Sequence, residues 1–293
     1  MAIGTGVAVA LGIIISILYR DDSATVKALW LKTLILIGLV LVLIGAGGLG
    51  KWGFLPVALF MAYFGWLEFL QCVEIKYGAI ALPGLIRLLG TVGILGALWG
   101  TALTTYLGVV IAAWGAIALP LWLTRNPPPM YGMLSAAFGT LFITMPLALL
   151  LALSDSAYGE FSLLILLVIT NDAAAQLLGQ IAGRTPLIPQ ISPSKTAEGA
   201  LGGLIFCLIW GYIFRFLVPG WQLWQILLVA GGISVMALSG DLIASALKRE
   251  ANIKDFGHIL ATTGGILDKF DSLMFTVPIF YVTATWIDYF GVG

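Results

Sequence analysis

Residues 133–153 read MLSAAFGTLFITMPLALLLAL, 21 positions without a single charged side chain. A helix of that length is about 30 Å long at ~1.5 Å per residue, which matches the hydrocarbon core of a bilayer. It has no polar face for water, so it does not belong on the outside of a soluble protein. Comparable runs recur in both directions, at roughly 3–19, 31–50, 53–73, 79–98, 101–123, 161–181, 199–218, 223–246 and 270–290. A bilayer core offers no water to free backbone groups, so these spans are helices. The alternating short strands of an outer-membrane barrel are absent. The expectation is an all-α polytopic integral membrane protein with about nine or ten transmembrane helices. The links near 51 and 99 are so short that one adjoining pair is open to a different division.

Composition agrees: 60% of the 293 residues are hydrophobic, 10% are charged, and the net charge is zero. No basic excess points to nucleic acid. Cys72 and Cys207 lie far apart in apolar segments and read as small core residues rather than a metal or redox pair. The run Ala2–Tyr19 has neither a basic leader nor a clear cleavage site, and reads as the first span rather than a signal peptide. Basic residues set the orientation. Arg20, Lys27, Lys32, Lys76, Arg125, Arg184, Lys195, Lys248, Arg249 and Lys254 all fall in or beside odd-numbered loops. The loop with Asp155 and Glu160 has no basic residue, and Lys51 is the exception. The charge-rich loops are therefore expected in the cytoplasm and both termini outside; the membrane expected is a bacterial inner membrane, a placement the loop charges themselves do not supply. Pro127-Pro128-Pro129 cannot continue a helix and divide the chain. Residues 1–130 form an N-terminal transmembrane region, and 131–293 a C-terminal region whose polar loops carry the chemistry.

Three polar islands interrupt that second region. Thr170-Asn171-Asp172 puts a carboxylate in or at the end of a span, where insertion costs about 2.5–3.5 kcal/mol unless it meets a cavity or a partner. The second joins two spans: Gly183-Arg184, then Ile191-Ser192-Pro193-Ser194-Lys195-Thr196-Ala197-Glu198-Gly199. Thr196 suits a helix N-cap, Glu198 its first turn, and Gly199 with Gly203 close helix packing. The third and densest runs from Gly240-Asp241 through Ser245, Lys248 and Arg249, Lys254-Asp255, and Gly264-Gly265 to Asp268-Lys269-Phe270-Asp271-Ser272. On a helix Asp241, Ser245 and Lys248 share one face, as do Asp268 and Asp271. Carboxylates beside Lys and Arg at a membrane boundary suit a site for Mg²⁺ and phosphates. The same charges also suit a solvated loop that pairs within itself.

These three motifs, in this order and spacing over about 165–290, resemble those of the phosphatidate cytidylyltransferases (CDP-diacylglycerol synthases). The N-terminal half is similar only in being a set of apolar helices. The resemblance implies condensation of CTP with phosphatidate to CDP-diacylglycerol and pyrophosphate, at a Mg²⁺-dependent site on the cytoplasmic membrane face, with room for a second cation. It implies Asp241, Asp268 and Asp271 as metal ligands with Asp172 near them. Lys195, Lys248, Arg249 and Lys254 would hold phosphates. Ser192, Glu198, Ser245, Gly264 and Gly265 would line the substrates, and Asp255 would stand with the catalytic set. The partners implied are CTP, phosphatidate or a similar lipid phosphate, and membrane lipids, with no nucleic acid; a homodimer is left open.

The chain departs from the family pattern in places. Ala261-Thr262-Thr263 stand where Pro-Gly-His is usual, Lys269 where an Arg is common, Ala244 where a Glu is frequent, and Gln176 where a Tyr is frequent. A phosphate monoester is largely dianionic near neutral pH, so it needs no strong base, and loss of that histidine weakens positioning more than chemistry. His258, the only histidine, lies five residues before Thr263; it either substitutes for the missing one or, as it reads here, is an ordinary loop residue. Other readings stay open: CTP-dependent transfer to another lipid phosphate or to a polyprenol, a non-catalytic nucleotide- or lipid-binding paralogue, and a transporter with Asp172 and Glu68 along its pathway.

Overall fold

The computed structural model describes residues 23–124, 128–259 and 264–290. The first expected span, 3–19, and the departure at Ala261-Thr262-Thr263 lie outside the described residues.

The chain runs α1 (Ser23–Gly47), α2 (Gly50–Tyr77) and α3 (Pro83–Val92), which tightens into a 3₁₀ segment, Gly93–Trp99. Then come α4 (Ala102–Leu123), α5 (Met130–Ser156) and α6 (Tyr158–Ala182). A short hairpin follows, β1 (Pro186–Ile188) antiparallel to β2 (Ser192–Thr196). Three more helices complete the fold: α7 (Ala197–Ile213, ending in a 3₁₀ turn, Phe214–Leu217), α8 (Leu223–Glu250) and α9 (Leu267–Phe290). Among the described residues, seven helices are long and apolar enough to cross a membrane. The protein is an all-α polytopic integral membrane protein, as its apolar runs require. The doubtful links are real breaks: Gly48-Leu49 separate α1 from α2, and Thr101 caps α4 by accepting Thr104 N–H at 3.1 Å. The hairpin is not foreseen in the sequence reading.

α5 is the most enclosed span, with 72% of its most apolar stretch buried, whereas α4 (22%) and α7 (28%) turn mostly outward. The core forms where Trp66 and Phe69 of α2, Leu147–Leu151 of α5 and Phe161 of α6 meet. Pro146 cannot supply the N–H that an α-helix needs for the carbonyl of Phe142. Just before it α5 widens into a π turn, Thr140–Thr144, closed by Met145 N–H on the Thr140 carbonyl. There the Thr144 hydroxyl donates to Gly90 O (2.9 Å) and accepts Trp66 Nε1–H (3.0 Å), tying α2, α3 and α5.

α6 and α7 lie closely side by side because glycine faces the contact. A Cβ at Gly203 would stand 2.8 Å from Asn171 Oδ1, and one at Gly199 2.7 Å from Ala175 O. Thr196 caps α7, accepting Gly199 N–H at 3.1 Å, and Glu198 lies in its first turn, so all three expectations for this motif hold.

Ion pairs mark the two ends of the bundle. Lys51 meets Asp155 at 2.9 Å at one end; Lys76 meets Glu250 at 3.3 Å at the other. Lys51, exceptional in the loop pattern, is thus matched by the acidic loop opposite it. Exposed aromatics occur at both ends, with Trp52, Trp224 and Tyr289 at the first and Tyr77 at the second, as interfacial side chains do. Cys72 and Cys207 are buried and free.

Candidate active site

Four elements bring charge together at the Lys76–Glu250 end. α6 carries Asp172, ten residues before its end at Ala182, so about 15 Å inside that end along the axis. α8 carries Asp241 and Lys248, β2 carries Lys195, and the first turns of α9 carry Asp268 and Asp271. Gly240 lets α8 approach α9: a Cβ there would stand 2.7 Å from Asp271 O. Asp241 therefore follows directly on the point where the two helices touch.

Two ion pairs organise the cluster. Lys195 Nζ lies 2.7 Å from Asp241 Oδ2, and Lys248 Nζ lies 2.7 Å from Asp268 Oδ1. The second pair is the drier, with 13% and 6% of the side chains exposed. The other oxygen of Asp268 accepts Phe256 N–H (2.8 Å) and Gly265 N–H (2.9 Å). Asp268 is thus fully engaged and folds the loop before α9 around itself. Gly264, at φ 96°, turns that loop in a conformation other residues avoid.

Asp172, Asp241 and Asp271 repel one another electrostatically, and Lys195 and Lys248 offset them. Asn171 Nδ2 donates to Asp172 Oδ1 at 3.2 Å, and Asp271 accepts the N–H of Ser272 at 2.9 Å. The Ser272 hydroxyl approaches Asp172 without completing a hydrogen bond. Ser272 Oγ, Asn171 Oδ1 and Lys195 Nζ are all buried with no hydrogen-bond partner in the structure; Lys195 has only its ion pair. Buried polar atoms of this kind ordinarily meet a water, an ion or a ligand.

Among the described residues, no three His, Cys, Asp or Glu side chains gather tightly enough to form a ready-made metal cage. Mg²⁺ seldom uses one: it keeps several waters and takes one or two carboxylates plus substrate phosphates. The donors present, carboxylates beside a serine hydroxyl, are hard oxygens, and they fit that ion.

The other sequence candidates make contacts of their own outside the two ion pairs. Glu198 turns back from the start of α7 to accept Arg184 N–H (3.0 Å) and Thr185 N–H (3.1 Å). Arg249 is exposed and donates to Ile191 O (3.3 Å) and Ile253 O (3.4 Å), fastening the hairpin to α8. Ser192 is buried in β2, and Ser245 is half-buried between Asp241 and Lys248 on α8. Lys254 is exposed on the loop after α8. Asp255 and His258 line a groove of about 680 Å³ with Leu67, Glu68, Gln71 and Glu74. Asp172, Asp241 and Asp271 are not in its lining, so this hollow is not the charged cluster itself.

One residue at this end is not singled out with the site by sequence reasoning. Glu68 of α2 is buried and accepts Ile266 N–H at 3.0 Å and Leu267 N–H at 2.9 Å, at the start of α9. Its signal is a lone carboxylate inside an apolar span, which a membrane helix rarely keeps without use.

A sequence model of the cytidylyltransferase family matches residues 5–287. The chain belongs to the cytidylyltransferase family. Among curated relatives, this cytidylyltransferase-family chain is 44% identical over 115 residues to the phosphatidate cytidylyltransferase of Staphylococcus haemolyticus (39% of the chain, 44% of the relative). It is 41% identical over 116 residues to that of Bacillus subtilis (38% and 42%). It is also 38% identical over 135 residues to the uncharacterized protein YnbB of Escherichia coli (45% of each). Each match spans less than half the length of the relative.

Proposed function

We propose that this cytidylyltransferase-family protein condenses CTP with phosphatidate, giving CDP-diacylglycerol and pyrophosphate at the cytoplasmic face of a bacterial inner membrane. One observation carries this reading. Lys195–Asp241 and Lys248–Asp268 flank Asp172 and Asp271 at the basic end of a membrane-spanning bundle, which brings two cations and four carboxylates together.

The chemistry asks little of a base. The lipid phosphate is already largely dianionic near neutral pH, because its second pKa is about 6. Its oxygen bonds to the α-phosphorus of CTP as the bond from that phosphorus to pyrophosphate breaks. The difficulty is bringing two anions together, so catalysis rests on positioning and charge neutralisation. Lys195 and Lys248 are held by carboxylates at the centre of the cluster and present their charge to phosphates. Asp241 and Asp271, with Asp172 beside them, would hold Mg²⁺, which neutralises phosphate oxygens when bound. Asp268 acts in this reading by holding Lys248 and the loop, so its part in metal binding is secondary to that of Asp241 and Asp271.

The test is incubation of purified protein with labelled CTP, Mg²⁺ and a panel of lipid phosphates and polyprenols. A labelled CDP-lipid with pyrophosphate release is expected, strongest with phosphatidate and abolished by EDTA. Release of CDP instead would mark phosphoryl transfer and overturn the assignment. Asp241→Asn should lower the rate roughly 100-fold or more; full activity in that variant would remove Asp241 from the centre.

A further inference from the structure

A carboxylate inside a membrane helix normally faces a cation or a cavity. Glu68 is 1% exposed, and its two oxygens are taken by two backbone amides, Ile266 N–H and Leu267 N–H. Those amides are the residue just before α9 and its first residue, where N–H groups lack intrahelical partners, so a helix about 200 residues earlier in the chain caps it. The fit is tight on two further sides. A Cβ at Gly265 would stand 2.4 Å from Glu68 Oε1, and one at Gly257 also 2.4 Å from it. A side chain that merely filled space would not need both oxygens, two amides and two glycines.

What Glu68 grips is the scaffold of the charged cluster. Asp268 takes the amides of Phe256 and Gly265; Glu68 takes the next two, Ile266 and Leu267. Between them the two carboxylates fix the entry of α9, which places Asp268 against Lys248 and, one turn on, Asp271 against α8. We infer that Glu68 is a positioning residue for cytidylyl transfer: it touches no reacting group and sets where Asp268 and Asp271 stand. This rests on the reaction proposed above.

Glu68→Gln tests it, since the amide keeps one acceptor and turns a donor toward the other backbone N–H. In purified protein kcat should fall roughly ten- to hundredfold while KM for CTP changes less than about twofold. The thermal midpoint should stay within about 3 °C of the wild type. Hydrogen–deuterium exchange should rise in peptides covering 264–272 and stay level elsewhere. A second arm uses the packing: Gly265→Ala should be damaging alone and milder in a Glu68→Ala background, because the added methyl enters vacated space. Unchanged kcat in the Gln variant, unchanged exchange at 264–272, or additive effects of the paired alanines would each overturn the inference. If the wild type forms no CDP-lipid, the proposed reaction fails, and the exchange and packing arms alone decide the role of Glu68.

Discussion

Lys248 and Asp268 show how burial sets the cost of losing one partner. With 13% and 6% of the side chains exposed, neither is well solvated, and removing one leaves the other uncompensated. Lys248→Met should destabilise the protein by about 3–5 kcal/mol, read as a lowered midpoint of thermal unfolding in detergent. Lys195→Met should cost less stability, because its pair with Asp241 is more open at 20% and 33%; its main effect should appear as lost CDP-lipid formation. The acid and base spacing on α8 and α9 was legible because side chains on one helical face sit three, four or seven residues apart. Glu68 was not legible as part of the site. Its partners are backbone amides, which every sequence has, so nothing in the residues near 266 announces the match.

At the level of elements, α7 depends on its cap and its close contact with α6. Thr196→Ala removes the acceptor for Gly199 N–H and should cost about 1 kcal/mol, measurable by equilibrium unfolding. That cap was readable because Thr stands directly before an apolar run with Glu198 in its first turn. The hairpin was not. Its strands cover only Pro186–Ile188 and Ser192–Thr196, and it is held by Arg249 reaching back from α8 and by Glu198 reaching back from α7. Such long-range tethers leave no periodic trace in five or ten residues. α8 runs to Glu250, four residues past the expected end at 246, and Lys248 and Arg249 in its last turn favour the negative end of the helix dipole.

Across the whole molecule, the ends defined by Lys51–Asp155 and Lys76–Glu250 give a direct test of sidedness. In a background lacking Cys72 and Cys207, a cysteine at Lys254 should react with a membrane-impermeant maleimide only in inverted vesicles. One at Lys51 should react only in right-side-out vesicles. The reverse pattern would put the charged cluster outside the cell. The bundle was largely legible from hydropathy, since few backbones can cross a bilayer, whereas the helix neighbours were not, because lipid-facing and protein-facing apolar residues look alike. The wide turn in α5 has one more consequence. It behaves as a single-residue insertion, so the helix carries one residue more than its two packed flanks require. Trimming the chain by Leu141, which is 58% exposed, should restore a regular turn and keep both flanks aligned. Trimming it by Leu150, which is fully buried, should swing the remainder by about 100° and wreck the core.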